Sequence, residues 1–229
     1  MMRTRRGLLA TGSALTLAAG QARAQGAGGP ALRLGILGDL SGPYRDLSGL
    51  GTLACVRQAI ADLAPGFAQA GTPLQVEVLH ADHQHKADIG AGIARRWYDR
   101  EGVDAILEVN NSAIALAVAD LAREKDKVFL ATGPATADLH GPRCGPNHVH
   151  WTYDTWMLAH GAGTAAVRAG GDSWFFLTAD YAFGHALQRD TARAVEAAGG
   201  KVLGQARYPF PQTTDYSSFL LQAQASRAK

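Results

Sequence analysis

Two short polar stretches carry the residues best suited to hold a small molecule. Asn110-Asn111-Ser112 follows an apolar run, Asp104 to Val109, and Thr132-Gly133-Pro134-Ala135-Thr136 follows a second, Val128 to Ala131. Hydroxyls, side-chain amides and backbone N–H groups orient a ligand through hydrogen bonds and make no covalent bond to it. Between the runs, Ala113 to about Glu124 reads as a helix, so the runs become strands of a βαβ unit in a parallel sheet. Open α/β sheets place ligands beyond the carboxyl ends of their strands, where both stretches fall. Ser112 or Asn111 caps the helix in this reading, which leaves the amides of Ala113 and Ile114 to meet an anion. The alternative is that Ser112 serves only its own helix.

Other chemistry is thinly represented. The glycines after the first strand, Gly35, Gly38 and Gly42, do not space as a dinucleotide-binding G-x-G-x-x-G, and neither a phosphate-binding G-x-x-x-x-G-K-[ST] nor a G-x-S-x-G nucleophile turn occurs. His80, Asp82, His83 and His85 form one metal-like group. On a strand or a helix His83 and His85 would diverge, and the segment reads as a solvated strand-to-helix loop. No metal, cofactor or catalytic group is therefore expected. Further on, Asp180-Tyr181-Ala182-Phe183-Gly184 follows another apolar run, Ser173 to Thr178, and by the same strand-end logic Tyr181 faces a cleft from its far side. Trp156 and Phe183 read as packing at a lobe junction, near Trp151 and Tyr153.

These groups need a frame. Leu32 to Leu37 reads as the first strand, followed by a turn-rich loop through Tyr44 and a helix from about Leu50 to Leu63. Leu74 to His80 is a second strand and Lys86 to Arg100 a helix with Ile89, Ile93, Ala94 and Trp97 on one face. Leu139 to Val149 has no periodicity and reads as a connection between lobes. The pattern then restarts with a helix from Asp154 to about Arg168, the strand Ser173 to Thr178 and a helix from Phe183 to Ala198. A strand from Lys201 to Ala206 and a helix from Tyr216 to Ala225 complete it. The expectation is α/β: a first lobe over residues 31–150 and a second over 151–229, each a parallel sheet flanked by helices. The last helix reads as about to feed another strand, so the second lobe is expected to be partial in this chain.

Residues 1–24 read as an export leader: Arg3, Arg5 and Arg6, an apolar middle from Gly7 to Gly20, and an A-x-A site at Ala22-Arg23-Ala24 before Gln25. Thr4-Arg5-Arg6-Gly7-Leu8-Leu9 also fits a twin-arginine signal, and both routes stay open. The leader carries four arginines and no acid, so without it the formal charge of +2 becomes −2. Nothing then points to nucleic acid or an anionic membrane. In an oxidising compartment Cys55 and Cys144 could pair or remain separate thiols.

The ordered set LGDLSGPYRDLSGLG, DHQHKADIGAGIARRWYDREGVDAI, NNSAIALAVADLAREKDKVFLATGPATADL, HWTYDTWMLAHG and WFFLTADYAFGHAL with AAGGKVLG resembles the periplasmic solute-binding proteins of ABC importers. The likeness is to the branched-chain amino acid (Leu/Ile/Val-binding) type and spans nearly all of residues 31 to 226. The resemblance implies two Rossmann-like lobes closing on a small solute, and a monomer that delivers it to membrane permease and ATPase subunits. It implies that the loops matching Asn111-Ser112-Ala113 and Pro134-Ala135-Thr136 hold the carboxylate and ammonium groups. Asp180, Tyr181 and Phe183 would contribute from the second lobe, and Tyr44 would line the side-chain pocket. Pro134 has no amide to donate and Ala135 no hydroxyl, which sets this chain against an ordinary α-amino acid ligand. Members of the family also bind aromatic acids, amides and urea-like solutes. They are much longer, which implies a chain truncated at its C-terminus. A periplasmic sensor of the same fold, handing occupancy to a receptor, is the competing expectation.

Overall fold

The computed structural model describes residues 31–229 apart from Leu74, so the leader read in residues 1–24 lies outside them, as does the expected first residue of the second strand. The first lobe is built from β1 (Ala31–Gly38), α1 (Gly49–Gln69), β2 (Gln75–Asp82), α2 (Ala87–Asp99), β3 (Ala105–Glu108), α3 (Ser112–Lys125), β4 (Val128–Ala131) and β5 (His148–His150). Its five strands are all parallel in the order β2-β1-β3-β4-β5. Right-handed crossovers on that order send α1 to one face of the sheet and α2 and α3 to the other.

The face under α2 and α3 holds the core. Trp97, Ile106, Ile114, Val118 and Phe129 are buried there. Gly35 explains how α2 comes so near β1: a Cβ at that position would stand 2.5 Å from the Trp97 ring, so only glycine leaves the indole its seat. α1 continues past Pro65 to Gln69, beyond the expected end at Leu63, with Ala70 N–H bonding the Gly66 carbonyl at 3.0 Å.

Two segments differ from the sequence reading. The connection from Leu139 to Val149 contains β5, whose His148, Val149 and His150 pair with Phe129, Leu130 and Ala131. Three residues are too few for a periodicity, and the free edge of β4 supplies what the local pattern does not. The expected helix from Asp154 to Arg168 is three pieces: α4 (Thr155–Leu158), a π-helical turn at Ala159–Gly163, and α5 (Thr164–Arg168). The second lobe then adds β6 (Ser173–Ala179), α6 (Ala182–Ala197), β7 (Lys201–Tyr208) and α7 (Ser217–Ser226), with β6 and β7 parallel. Among the described residues no helix is long and apolar enough to cross a membrane.

Candidate functional site

The loops after β1, β3, β4 and β6 converge on a cavity of about 880 Å³. It lies beside the point where the sheet order reverses between β1 and β3, the switch point at which open α/β folds form a crevice. Of the residues singled out from sequence, Tyr44, Ser112, Ala135, Tyr181 and Phe183 line it, with Asn110, Thr132 and Gly133 of the two polar stretches. The two lobes meet there, because the hydroxyls of Tyr44 and Tyr181 share a hydrogen bond. Burial pushes both phenols above their ordinary range. Phe210 stacks on Tyr181 with ring centres 5.5 Å apart, and His85 sits edge-on to Tyr44 at 5.1 Å. Neither partner was picked out as a site residue: Phe210 follows a strand end in turn-forming sequence, and His85 read as solvated.

The other candidates hold the walls. Asn111 caps α3: its Oδ1 accepts from the N–H groups of Ala113 (2.9 Å) and Ile114 (3.1 Å). This corrects the expectation that those two amides stand free for an anion, since the cap itself consumes them. Ser112 is buried beside the cap and faces the cavity. Thr136 accepts from Asp138 N–H at 3.3 Å and caps a short 3₁₀ turn, while the Pro134 carbonyl accepts from His150 Nε2 at 2.7 Å. The second lobe grips this loop through Thr155, whose N–H bonds the Ala135 carbonyl at 2.7 Å and whose Oγ1 takes the Ala137 amide at 3.1 Å. Asp180 turns away from the cavity to pair with His185 at 2.7 Å.

Beneath the cavity runs a hydrogen-bonded chain that the sequence did not announce. His83 is fully buried, and its Nδ1 accepts from the His85 N–H at 3.1 Å, so the ring proton sits on Nε2. That proton goes to Asn110 Oδ1 at 3.0 Å, and Asn110 Nδ2 donates to Ser48 Oγ at 2.8 Å. Burial holds the imidazole neutral by lowering its pKa. The Ser48 hydroxyl, its lone pair engaged, is left to donate towards Glu108. Thr132 Oγ1 donates to the same carboxyl at 3.2 Å. Glu108 lines the cavity, and burial raises its pKa against the pull of the Thr132, Thr52 and Ser48 hydroxyls.

The cysteines and the histidine-rich loop also have defined places. Cys55 and Cys144 are free thiols, not a bridge. Cys55 lies on α1 and Cys144 in the turn whose Arg143 pairs with Asp120 of α3, so the sheet stands between them. The group His80, Asp82, His83 and His85 braces its loop: Asp82 accepts from Leu40 N–H (2.9 Å), Ser41 Oγ (2.6 Å) and Gln84 N–H (2.8 Å). Among the described residues no three metal-ligating side chains converge.

The family model for periplasmic binding proteins matches residues 31–229. Among solved structures, a periplasmic binding protein from Burkholderia mallei is 48% identical with a TM-score of 0.80, covering 86% of this chain and 52% of its own. A branched chain amino acid ABC transporter periplasmic ligand-binding protein from Burkholderia xenovorans is 37% identical with a TM-score of 0.67, covering 86% of this chain and 51% of its own. A solute binding protein of an R. palustris ABC transporter, solved with 4-hydroxybenzoate, shares the fold at 22% identity, with a TM-score of 0.74 and coverage of 87% and 52%. Among curated proteins none matched. The chain thus spans about half the length of the structures it matches. With two α/β lobes meeting over a cavity at their strand ends, and with this match over every described element, the chain belongs to the periplasmic binding protein family, whose members bind solutes for ABC transporters and are not enzymes.

Proposed function

We propose that the protein is an exported receptor that captures a small solute between its lobes and delivers it to the permease and ATPase subunits of an ABC importer. The solute is an amino acid, an aromatic or other small carboxylate, or an amide, and the receptor works as a monomer in the periplasm after cleavage behind Ala24. The observation that carries this reading is the cavity itself, floored by strand-end loops of one lobe and closed over by Tyr181 of the other. Such a site needs no chemistry: a solute that touches both lobes binds the closed arrangement better than the open one and so shifts the hinge towards it. Tyr44, Ser112, Ala135 and Tyr181 meet the solute in this reading. Asn111, Ala113, Pro134, Thr136 and Asp180 keep those groups in place.

Native mass spectrometry of the periplasmic protein is expected to show a retained small molecule that leaves on unfolding. A strain lacking the gene should lose uptake of that molecule. Normal uptake in that strain would count against the transport role, and protein that neither carries nor binds any solute would end the receptor reading.

A further inference from the structure

The wall of the cavity has an uneven electrostatic make-up. Among its lining residues Glu108 is the one carboxyl, and no lysine, arginine or histidine is present. The side chain is almost wholly buried, at 5% exposure. Among the described residues its neighbours are uncharged hydroxyls: Thr132 Oγ1 donates to it at 3.2 Å, and those of Thr52 and Ser48 lie beside it. A buried carboxyl without a cation is costly, and natural interiors supply one or do without the acid.

The backbone adds a second cost. Glu108 has φ +80° and Val109 φ +59°, both in the left-handed region that favours glycine. Strain of that kind persists where a side chain is wanted at a particular spot. Here the opposite loop makes room for it: a Cβ on Gly133 would stand 2.5 Å from Glu108 Oε1. The hydroxyl partners also fix the carboxyl's direction. Thr132 Oγ1 donates to it, and the Ser48 hydroxyl beside it is aligned by Asn110, which His83 aligns in turn. A carboxyl offers about four lone-pair directions, more than the neighbouring hydroxyls can fill, and Glu108 lines the cavity.

We infer that Glu108 recognises the solute, accepting a hydrogen bond from an N–H or O–H group at the end that enters between α1 and the carboxyl ends of β3 and β4. The class of ligand is a small solute with an uncharged or cationic donor at that end, an ammonium, amide or hydroxyl. Any carboxylate it carries lies away from Glu108, towards Ser112 and Ala135. The inference rests on the receptor reading above and deepens it.

Calorimetry with two matched pairs of probes tests it: L-leucine against 4-methylpentanoate, and 4-hydroxybenzoate against 4-methoxybenzoate. In at least one pair the donor-bearing member should bind tenfold or more tightly. Glu108→Gly suits the left-handed backbone, so its denaturation midpoint should hold or rise while the preference falls below threefold. Glu108→Gln keeps the volume and an acceptor oxygen but not the charge. It should cut an ammonium preference about tenfold and a hydroxyl preference less than threefold. Equal binding within both pairs, or a preference that survives in both variants, overturns the inference. Binding of none of the four overturns it as well, and mass spectrometry of the native protein then decides separately whether the receptor reading falls with it.

Discussion

The two faces of the first-lobe sheet are unlike each other. Beneath α2 and α3, Trp97, Ile106, Ile114, Val118 and Phe129 are closed off from water. On the α1 side only Gly49 of the helix is buried, and Leu50 and Leu63 are 69% and 59% exposed. An apolar groove of about 200 Å³, lined by Leu34, Ile60, Leu63, Phe67 and Val76, runs between α1 and the strands. The cavity opens on this looser side, bordered by Ser48, Thr52, Cys55 and Val56 of α1 and its approach, and by Glu108 at the end of β3. One face holds the closed core of the lobe, and the other borders the cavity where the solute is proposed to bind. Packing that fills every space leaves no room for a ligand, so the division follows from what each job needs.

The comparison breaks first where the effect is largest. Phe129→Ala should cost about 3–5 kcal/mol of folding stability, the range for emptying an aromatic site in a closed core. The affinity of the molecules that remain folded should be unchanged. Denaturant unfolding beside calorimetry reads both, and a loss below about 1 kcal/mol would mean that the well-packed face is not where stability resides. The next test sits at the boundary between the faces, in two adjacent residues. Asn111→Ala removes the cap of α3 and should cost about 1 kcal/mol of folding stability. Ser112→Ala should leave stability alone and weaken binding by about 1 kcal/mol, the usual worth of one hydrogen bond. The same loss in both variants would erase the distinction between wall and ligand contact. Smallest of all is Leu63→Ser, expected to change folding stability by less than about 0.5 kcal/mol because the side chain already meets water. A change several times larger would show that the α1 face is covered in solution.

How much of this was legible depended on whether the signal was local. The runs AILE and VFLA are short, apolar and bounded by polar loops, so β3 and β4 declared themselves, and with them the loops that carry Ser112 and Ala135. Tyr181 was legible for the same reason, lying just past a strand end, whereas Tyr44 was singled out by the family resemblance alone. β5 was not, because its three residues owe their conformation to β4. Glu108 was hidden inside a run that reads as buried strand, where alternation does not tell which face an acid takes. Its left-handed backbone has no mark in the sequence. Ser48 and Thr52 were equally silent, since which face of α1 looks into the cavity is settled by tertiary packing. The cap was legible in kind but not in consequence: either Asn111 or Ser112 could serve, and only the structure shows that Asn111 takes both amides.

The separation of the two thiols has a practical use. Cys55 lines the cavity and is exposed, while Cys144 lies across the sheet beside α3. On the proposed receptor reading, a small environment-sensitive dye coupled to Cys55 would sit where a solute displaces water, and its emission should change with occupancy. The same dye on Cys144 would not see that event. With one or the other replaced by serine, the protein would become an optical gauge for the proposed solute, with a built-in reference channel.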